Sequence, residues 1–400
     1  MTKSRVGNNK YLKVFNQTVI LDLIRIHKEI SRAELSKITG LSATAIGSIV
    51  SELLEAGYIT ETGIGKSQGG RRPVLLELKP ESFYSIGVDL DIDYIRLVLM
   101  DITSRVIDER LVDVPRPVLF DEITKVIAEE IDKVIAYNRI EKSRLLGIGI
   151  SIPGMIDSRV GKVILAPNLE WENVDIKTRL TTLAALPVYV ENESMASAIC
   201  ENWIGNCQEI KNFVCINIMS GIGSGIFIDG KPYRGAGGST GEVGHIVVDD
   251  SGKKCGCGNY GCLETYSSTT GIVERAQQLV KQGVVSKLNA VENIEDINIK
   301  TVIAAAKEGD EVARNILVES ARFLGLAISS VVNILNPEKI VLGKEFVNYA
   351  DIAMHQIEDI VECKALKQPA SDVEIIKSDL GERASVLGAA IIPIKVLFGK

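Results

Sequence analysis

Gly241-Glu242-Val243-Gly244-His245 and, after nine intervening residues, Cys255-Gly256-Cys257-Gly258-Asn259-Tyr260-Gly261-Cys262-Leu263-Glu264 decide how this chain is read. The stretch holds three of the seven cysteines and one of the three histidines. Tetrahedral zinc takes four thiolate or imidazole ligands at about 2.0–2.3 Å. Glycines at 256, 258 and 261 let a short loop curl round such an ion without strain. His245, Cys255, Cys257 and Cys262 complete a ligand set, so the spacing predicts a closed, structural Zn2+ site. The competing reading is a group of buried, unliganded cysteines, which would leave three thiols within eight residues open to oxidation. Glu242 and Glu264 flank the loop and are free to point at something that it positions.

The chain around this stretch has 400 residues, too many for one core, which suggests two or three domains. It is 46% hydrophobic and 24% charged, as expected of a globular chain. No apolar run approaches the roughly 18 residues of a membrane span. The polar, basic Met1–Lys10 is followed by no apolar core of a secretory signal. An odd cysteine count with one metal-like cluster fits the reducing cytoplasm, and Cys200, Cys207, Cys215 and Cys363 read as small core residues. Charge is uneven: residues 1–80 carry 12 Lys+Arg against 7 Asp+Glu, a net of +5, which leaves −12 on the remainder. A basic head on an acidic body points to a polyanion met by the head alone.

The head has the pattern of a winged helix-turn-helix. Leu12, Phe15, Val19, Leu23 and Ile26 recur at helical spacing. Ser31 and Glu34 form a capping-box pair before a short helix over 32–39, closed by Gly40. Ser42 caps a second helix over 43–56, and this helix, turn, helix layout predicts a recognition helix for a major groove. Ala33, Leu35, Ile38, Leu41, Ile46, Ile49, Val50, Leu53 and Leu54 are its expected core. Residues 58–60 and 74–78 read as wing strands around a glycine-rich basic tip. Arg32, Ser42, Thr44, Ala45, Ser48, Lys66, Arg71 and Arg72 are the candidate contacts to phosphates and base edges of operator DNA. The competing reading is a helical protein-interaction module with a solvated linker.

From Phe83 the pattern is α/β. Strands are expected at 86–89, 95–99, 145–152, 188–190, 213–219, 225–228, 340–343 and 373–376. Helices are expected at 121–138, 194–203, 270–282, 299–307, 310–335 and 384–396. Ligands in such folds gather at strand carboxyl ends, which singles out Gly154, Asn192 and Glu193. The Ser220-Gly221-Ile222-Gly223-Ser224-Gly225 turn is of the kind that wraps a phosphate, although a tight hairpin explains it nearly as well. Strand-rich starts near 85 and 213 suggest two related lobes.

Assembled, residues 10–395 resemble the ROK family of repressors, open reading frames and kinases. The motifs that carry the resemblance are Gly241–His245, the Cys255–Glu264 loop and Gly69-Gly70-Arg71-Arg72-Pro73. It implies an α/β hexokinase/actin-like, two-lobed sugar-binding body behind the N-terminal DNA-binding domain. On this basis residues 1–80 are the head, 81–191 the first lobe (completed by a helix at about 382–400), and 192–381 the second lobe with the zinc loop. The resemblance also implies a sugar site in the interlobe cleft lined by Gly154, Asn192, Glu193, Glu242, His245 and Glu264.

Departures from the kinase pattern set the expected function. ROK kinases carry an Asp-x-Gly-Gly-Thr-like phosphate loop, where this chain has Asp89-Leu90-Asp91-Ile92-Asp93. Glu193 stands where kinases use Asp as general base, and one extra methylene displaces the carboxylate by about 1.5 Å. The third nucleotide stretch reads Val341-Leu342-Gly343-Lys344, so only Ser220–Gly225 survives. No catalytic residue is therefore expected. The head and the Asn192-Glu193 pair look most like the xylose-operon repressors. The expectation is a dimeric or tetrameric repressor of a carbohydrate operon, released from its operator by a sugar, xylose or a hexose. The alternative is an ATP-dependent sugar kinase with an added DNA-binding head.

Overall fold

In the computed structural model, residues 9–64, 72–115 and 118–399 are described. Lys66 and Arg71, expected at the wing tip, lie outside them. The chain forms two compact units. One takes the chain up to Ile150, Val174–Val190 and the stretch from Ala389, and the other takes Ser151–Asn173 and Glu191–Gly388.

The first unit opens with α1 (Asn9–His27), β1 (Ile30–Ser31), α2 (Arg32–Thr39), α3 (Ala43–Glu55), β2 (Ile59–Ile64) and β3 (Val74–Leu78). Ser31 caps α2: its hydroxyl accepts from Glu34 N (3.3 Å) while the Glu34 carboxylate accepts from Ser31 N (2.9 Å), the reciprocal pair of a capping box. Gly40, at φ 71°, ends α2 in the left-handed conformation that glycine adopts freely. Ser42 then caps α3, whose Ile46, Ile49, Val50 and Leu53 are buried. The wing strands β2 and β3 pair antiparallel, and β1 adds a short third strand on β3.

Three details differ from the sequence reading. The helix α1 forms, but it buries Ile20, Leu21 and Ile24, while Leu12, Phe15 and Ile26 are about half exposed at 50%, 54% and 53%. Residues 19–26, Val-Ile-Leu-Asp-Leu-Ile-Arg-Ile, are apolar on more than one side, so periodicity alone leaves the buried face open. Ala33 and Ile38, expected in the core of the head, are exposed. The segment 151–173 groups with the second unit rather than with the first lobe.

The body contains β4 (Tyr84–Leu90), β5 (Tyr94–Asp101), β6 (Val106–Asp113), α4 (Phe120–Tyr137), β7 (Leu145–Ile152), β8 (Met155–Asp157), β9 (Lys162–Ala166), β10 (Trp171–Val174), α5 (Ile176–Ala184) and β11 (Val188–Asn192). Next come α6 (Glu193–Trp203), β12 (Phe213–Ile218), β13 (Ile222–Ile228), β14 (Lys231–Pro232), α7 (Glu264–Ser267), α8 (Thr269–Lys281), α9 (Ile299–Lys307) and α10 (Glu311–Leu335). The chain closes with β15 (Lys339–Lys344), α11 (Ala350–Lys364), α12 (Lys367–Asp372), β16 (Glu374–Lys377) and α13 (Ala384–Leu397).

The two large sheets share one plan. Each is five-stranded, in the orders β11-β7-β4-β5-β6 and β14-β13-β12-β15-β16. In each, three consecutive strands form an antiparallel meander, and two later strands add beyond the first. In the second sheet, β15 and β16 add in parallel. The core of the second unit lies between this sheet and the helices α8 to α11. Among the described residues, α10 is the one helix long and apolar enough to cross a membrane, and 67% of its apolar window is buried. Its hydropathy therefore belongs to the core.

Candidate functional site

The metal-type loop is built by backbone geometry first. Cys255 N donates to Asn259 O (2.8 Å), and Gly258 N to Cys255 O (3.0 Å), which curls the chain between the first two thiols and the third. Gly261 sits at φ 71°, where a Cβ would lie 1.5 Å from Asp249 O, so only glycine fits. The loop closes as Val247 bridges Cys262 and Lys254 bridges Tyr260. The ligand atoms of His245, Cys255, Cys257 and Cys262 then lie within 4.8 Å of one another. Cys255 Sγ is 3.7 Å from His245 Nδ1, and Cys257 Sγ is 3.7 Å from Cys262 Sγ. Sulfurs bound tetrahedrally at ~2.3 Å would stand roughly 3.7 Å apart, so the cluster fits a tetrahedral ion. Burial, with the neighbouring thiols, pushes Cys262 up to about 12. A bound cation is what stabilises thiolates in such a place.

Beside this loop, Gly154, Asn192 and Glu242 line one pocket with Ser224 and Arg234. Asn192 caps α6: its Oδ1 accepts from Ser194 N (2.8 Å) and Met195 N (3.2 Å), and its Nδ2 donates to Gly154 O (2.8 Å). Gly154 is at φ 104°, and a Cβ there would meet Leu165 O at 2.4 Å. Glu242 is solvent-accessible, yet the protein around it pushes its carboxyl above the usual range, against the pull of His245 and with the push of Glu264. These three groups therefore form one electrostatic cluster. Glu264 Oε2 accepts from Ile222 N (3.1 Å) and so ties the loop to β13. Glu193, Glu264 and His245 are not among the residues lining the pocket.

Two residues of this pocket escaped the sequence reading. Arg234 pairs with the buried Glu191, and its Nε donates to Ser158 Oγ (3.0 Å). Burial raises the Glu191 carboxyl while Arg234 draws it back down. The available signals were the third carboxylate of Glu191-Asn192-Glu193 and a lone arginine entering the glycine-rich run 235–241. A carboxylate, a guanidinium, an amide and a hydroxyl converging on one pocket match the alternating donors and acceptors of a polyol.

The stretches compared with phosphate loops have other local roles. Asp91 N donates to Tyr94 O (2.9 Å), and Asp91 Oδ1 accepts from Ile92 N (2.6 Å), so a carboxylate occupies an amide at the tip of the β4–β5 hairpin. Asp89 is buried at the end of β4. In the second sheet, added Cβ atoms at Gly223 and Gly225 would lie 2.5 Å from Ser194 Oγ and 2.5 Å from Ala198 Cβ. Those glycines let α6 pack on β13. Lys344 is buried at φ 58°, and its Nζ donates to Ser385 Oγ (2.6 Å).

In the head, Ser42, Thr44 and Ser48 are exposed on the N-terminal half of α3, and Ala45 is partly so. Ser42 Oγ accepts from Ala45 N (3.2 Å). Arg32 pairs with Glu61 of β2 (2.7 Å), and Arg72 is exposed at the start of β3's approach.

The ROK family model matches residues 85–396, and a winged helix-turn-helix DNA-binding model matches residues 17–60. The chain belongs to the ROK family. Among ROK relatives, the xylose repressor of Caldicellulosiruptor bescii is 34% identical over 389 residues, 97% of this chain and 98% of that protein. A crystal structure of a ROK family transcriptional regulator, a homologue of the E. coli MLC protein, superposes with a TM-score of 0.86 at 31% identity, covering 97% of both chains. A ROK glucokinase from Streptomyces griseus, solved with glucose and AMPPNP, superposes at 0.69 with 27% identity. That match covers 98% of the kinase but 77% of this chain. The regulator is thus matched over head and body, and the kinase over less of this chain.

Proposed function

We propose that this ROK protein is a sugar-responsive, DNA-binding repressor of a carbohydrate-utilisation operon, with xylose as inducer. The observation that carries the reading is a winged helix-turn-helix on a body whose first hairpin tip holds Asp91 and Asp93 and no glycine. Carboxylates at that tip oppose the approach of a nucleotide's phosphates. The polar pocket of Gly154, Asn192 and Glu242 is the sugar site in this reading, with Glu193, His245 and Glu264 completing it when the ligand is bound. His245, Cys255, Cys257 and Cys262 hold Zn2+, which supplies rigidity to the wall that carries Glu242 and Glu264.

The head binds DNA through the start of α3, with Ser42, Thr44, Ala45 and Ser48 towards bases and Arg32, Lys66, Arg71 and Arg72 towards phosphates. A homodimer or homotetramer sets two such helices in successive major grooves of a palindromic operator, in the cytoplasm. Sugar and DNA are then negatively coupled, typically by about 1–3 kcal/mol. In a mobility-shift assay with the palindromic operator, xylose is expected to release the full-length protein. Glucose and a panel of other pentoses and hexoses test the choice of sugar. If no sugar changes operator affinity or melting temperature, the inducer reading fails. ADP release in a coupled assay with ATP and the same sugars should stay at background. Clear turnover would move the protein to the kinase reading.

A further inference from the structure

Among the described residues, four glycines lie inside α-helices: Gly47 in α3, Gly271 in α8, Gly325 in α10 and Gly388 in α13. A glycine there loosens its helix, because it loses more chain entropy on folding than alanine does and leaves the backbone uncovered. Packing explains three of the four. A Cβ at Gly271 would meet Thr265 O at 2.7 Å, one at Gly325 would meet Ile360 Cβ at 2.8 Å, and one at Gly388 would meet Ala196 O at 1.8 Å. Gly47 is different. A Cβ there would find no atom within 4 Å, and the backbone is helical rather than left-handed. The folded chain therefore gains nothing from a glycine at this position, and its reason lies outside the chain.

The surroundings of Gly47 on α3 show what that reason is. Spacings of three and four place it beside Thr44, Ser48 and Ser51, on the side turned away from the buried Ile46, Ile49, Val50 and Leu53. Thr44, Ser48 and Ser51 are exposed. From Ser42 to Ser51 the helix exposes no side chain longer than threonine and no charge. Arginine, lysine, asparagine and glutamine reach base edges from a helix that stays off the groove floor. Serine and threonine hydroxyls reach them only when the helix backbone itself comes close. In the winged helix-turn-helix matched to residues 17–60, α3 is the second helix of the motif, the one that enters the major groove.

We infer that Gly47 is the docking residue of the DNA-binding head. Its missing side chain lets the α3 backbone seat against the duplex, close enough for the Thr44 and Ser48 hydroxyls to reach base edges. A methyl group at position 47 holds the helix off, and the short side chains lose their reach. This rests on the reading of α3 as the recognition helix and adds to it the residue that sets the depth of entry.

The probe is a duplex that the wild-type, full-length protein selects from a randomised pool, with an unselected duplex of equal length as control. Gly47→Ala is expected to weaken binding of the selected duplex by about tenfold, the usual penalty for a methyl forced into a close-packed contact, and to leave the unselected duplex unchanged. Hydrogen exchange over residues 43–55 should be as slow as in the wild type or slower, since alanine is the stronger helix former and meets nothing. Gly47→Leu, with a helix propensity near that of alanine, should weaken the selected duplex by about a further tenfold. Ser48→Glu sets a negative charge on the same face and should abolish the preference for the selected duplex, whatever stands at position 47. Unchanged or tighter binding by Gly47→Ala, beside loss with Ser48→Glu, overturns the inference while leaving α3 as the recognition helix. Faster exchange in Gly47→Ala overturns it as well, because the fold itself would then need the glycine. Equal weakening by alanine and leucine overturns it in favour of a backbone hinge. A preference that survives Ser48→Glu removes α3 from the groove, and the inference with it.

Discussion

At the scale of single residues, Asn192 divides one amide between a helix and a loop. Its oxygen satisfies two orphan amides at the start of α6, and its nitrogen holds the carbonyl of Gly154. Aspartate caps helices as well as asparagine does, but it cannot donate. Asn192→Asp therefore keeps the cap and removes only the tie to Gly154, setting a carboxylate against a carbonyl beside the buried Glu191. The expected loss is about 1–3 kcal/mol, the usual penalty for a hydrogen bond replaced by an unpaired acceptor. Urea unfolding followed by a probe in the second unit measures it. A neutral or stabilising result would mean that the cap is all that Asn192 supplies. The same division of labour bears on the proposed sugar site. With Oδ1 accepting twice, Asn192 has one N–H left to offer a ligand, so the acceptors there must come mostly from carboxylates such as Glu242.

At the scale of elements, the capping box on α2 is the joint that sets the recognition helix. Ser31→Ala should cost about 1 kcal/mol, and amide exchange of Leu35 and Ser36 should quicken by about fivefold. The Ser31 hydroxyl and then its backbone amide hold the Glu34 carboxyl below the ordinary value of 4.5. A lowered folded value favours the charged form, so this contribution is complete above pH 4.5 and fades as pH falls through the folded value. The protection gap between wild type and Glu34→Gln should accordingly be open at neutral pH and close in acid. This joint was legible in sequence because it is local: serine, three residues and glutamate fix it. So were most body strands and helices, and the metal-type loop, whose ligands sit close together. The buried face of α1 was not legible, because its residues 19–26 are apolar on several sides and the neighbouring strands β1 and β3 choose among them. The strand β6, Val-Ile-Asp-Glu-Arg-Leu-Val-Asp, escaped because an edge strand with four charges lacks an apolar face on which to be recognised. Arg234 escaped because its partner Glu191 lies 43 residues away. Pairings of that kind come from the fold and leave no spacing to read.

At the scale of the whole molecule, the chain separates a basic head from an acidic body, and the loop from His245 to Glu264 stands beside the pocket proposed for the sugar. His245 and Glu264 do not line the Glu242 pocket, but their charges act on the Glu242 carboxyl from beside it. Removing the proposed metal should therefore reach the sugar response without reaching the head. Cys257 is the residue to change, since it is exposed while Cys262 and Cys255 are buried at 0% and 4%. Cys257→Ser leaves the core packing as it was and takes away one thiolate. Bound metal, measured by elemental analysis, should fall from about one ion per chain to well below that, because a structural site with three ligands loses its closed shell. Operator release by sugar should weaken. Salt-dependent, nonspecific DNA binding should persist, since it rests on the net +5 of residues 1–80 rather than on the loop. Full metal content in Cys257→Ser would remove Cys257 from the ligand set. Loss of metal with an undiminished sugar response would detach the loop from the sensor and leave it a fastening of the second unit alone.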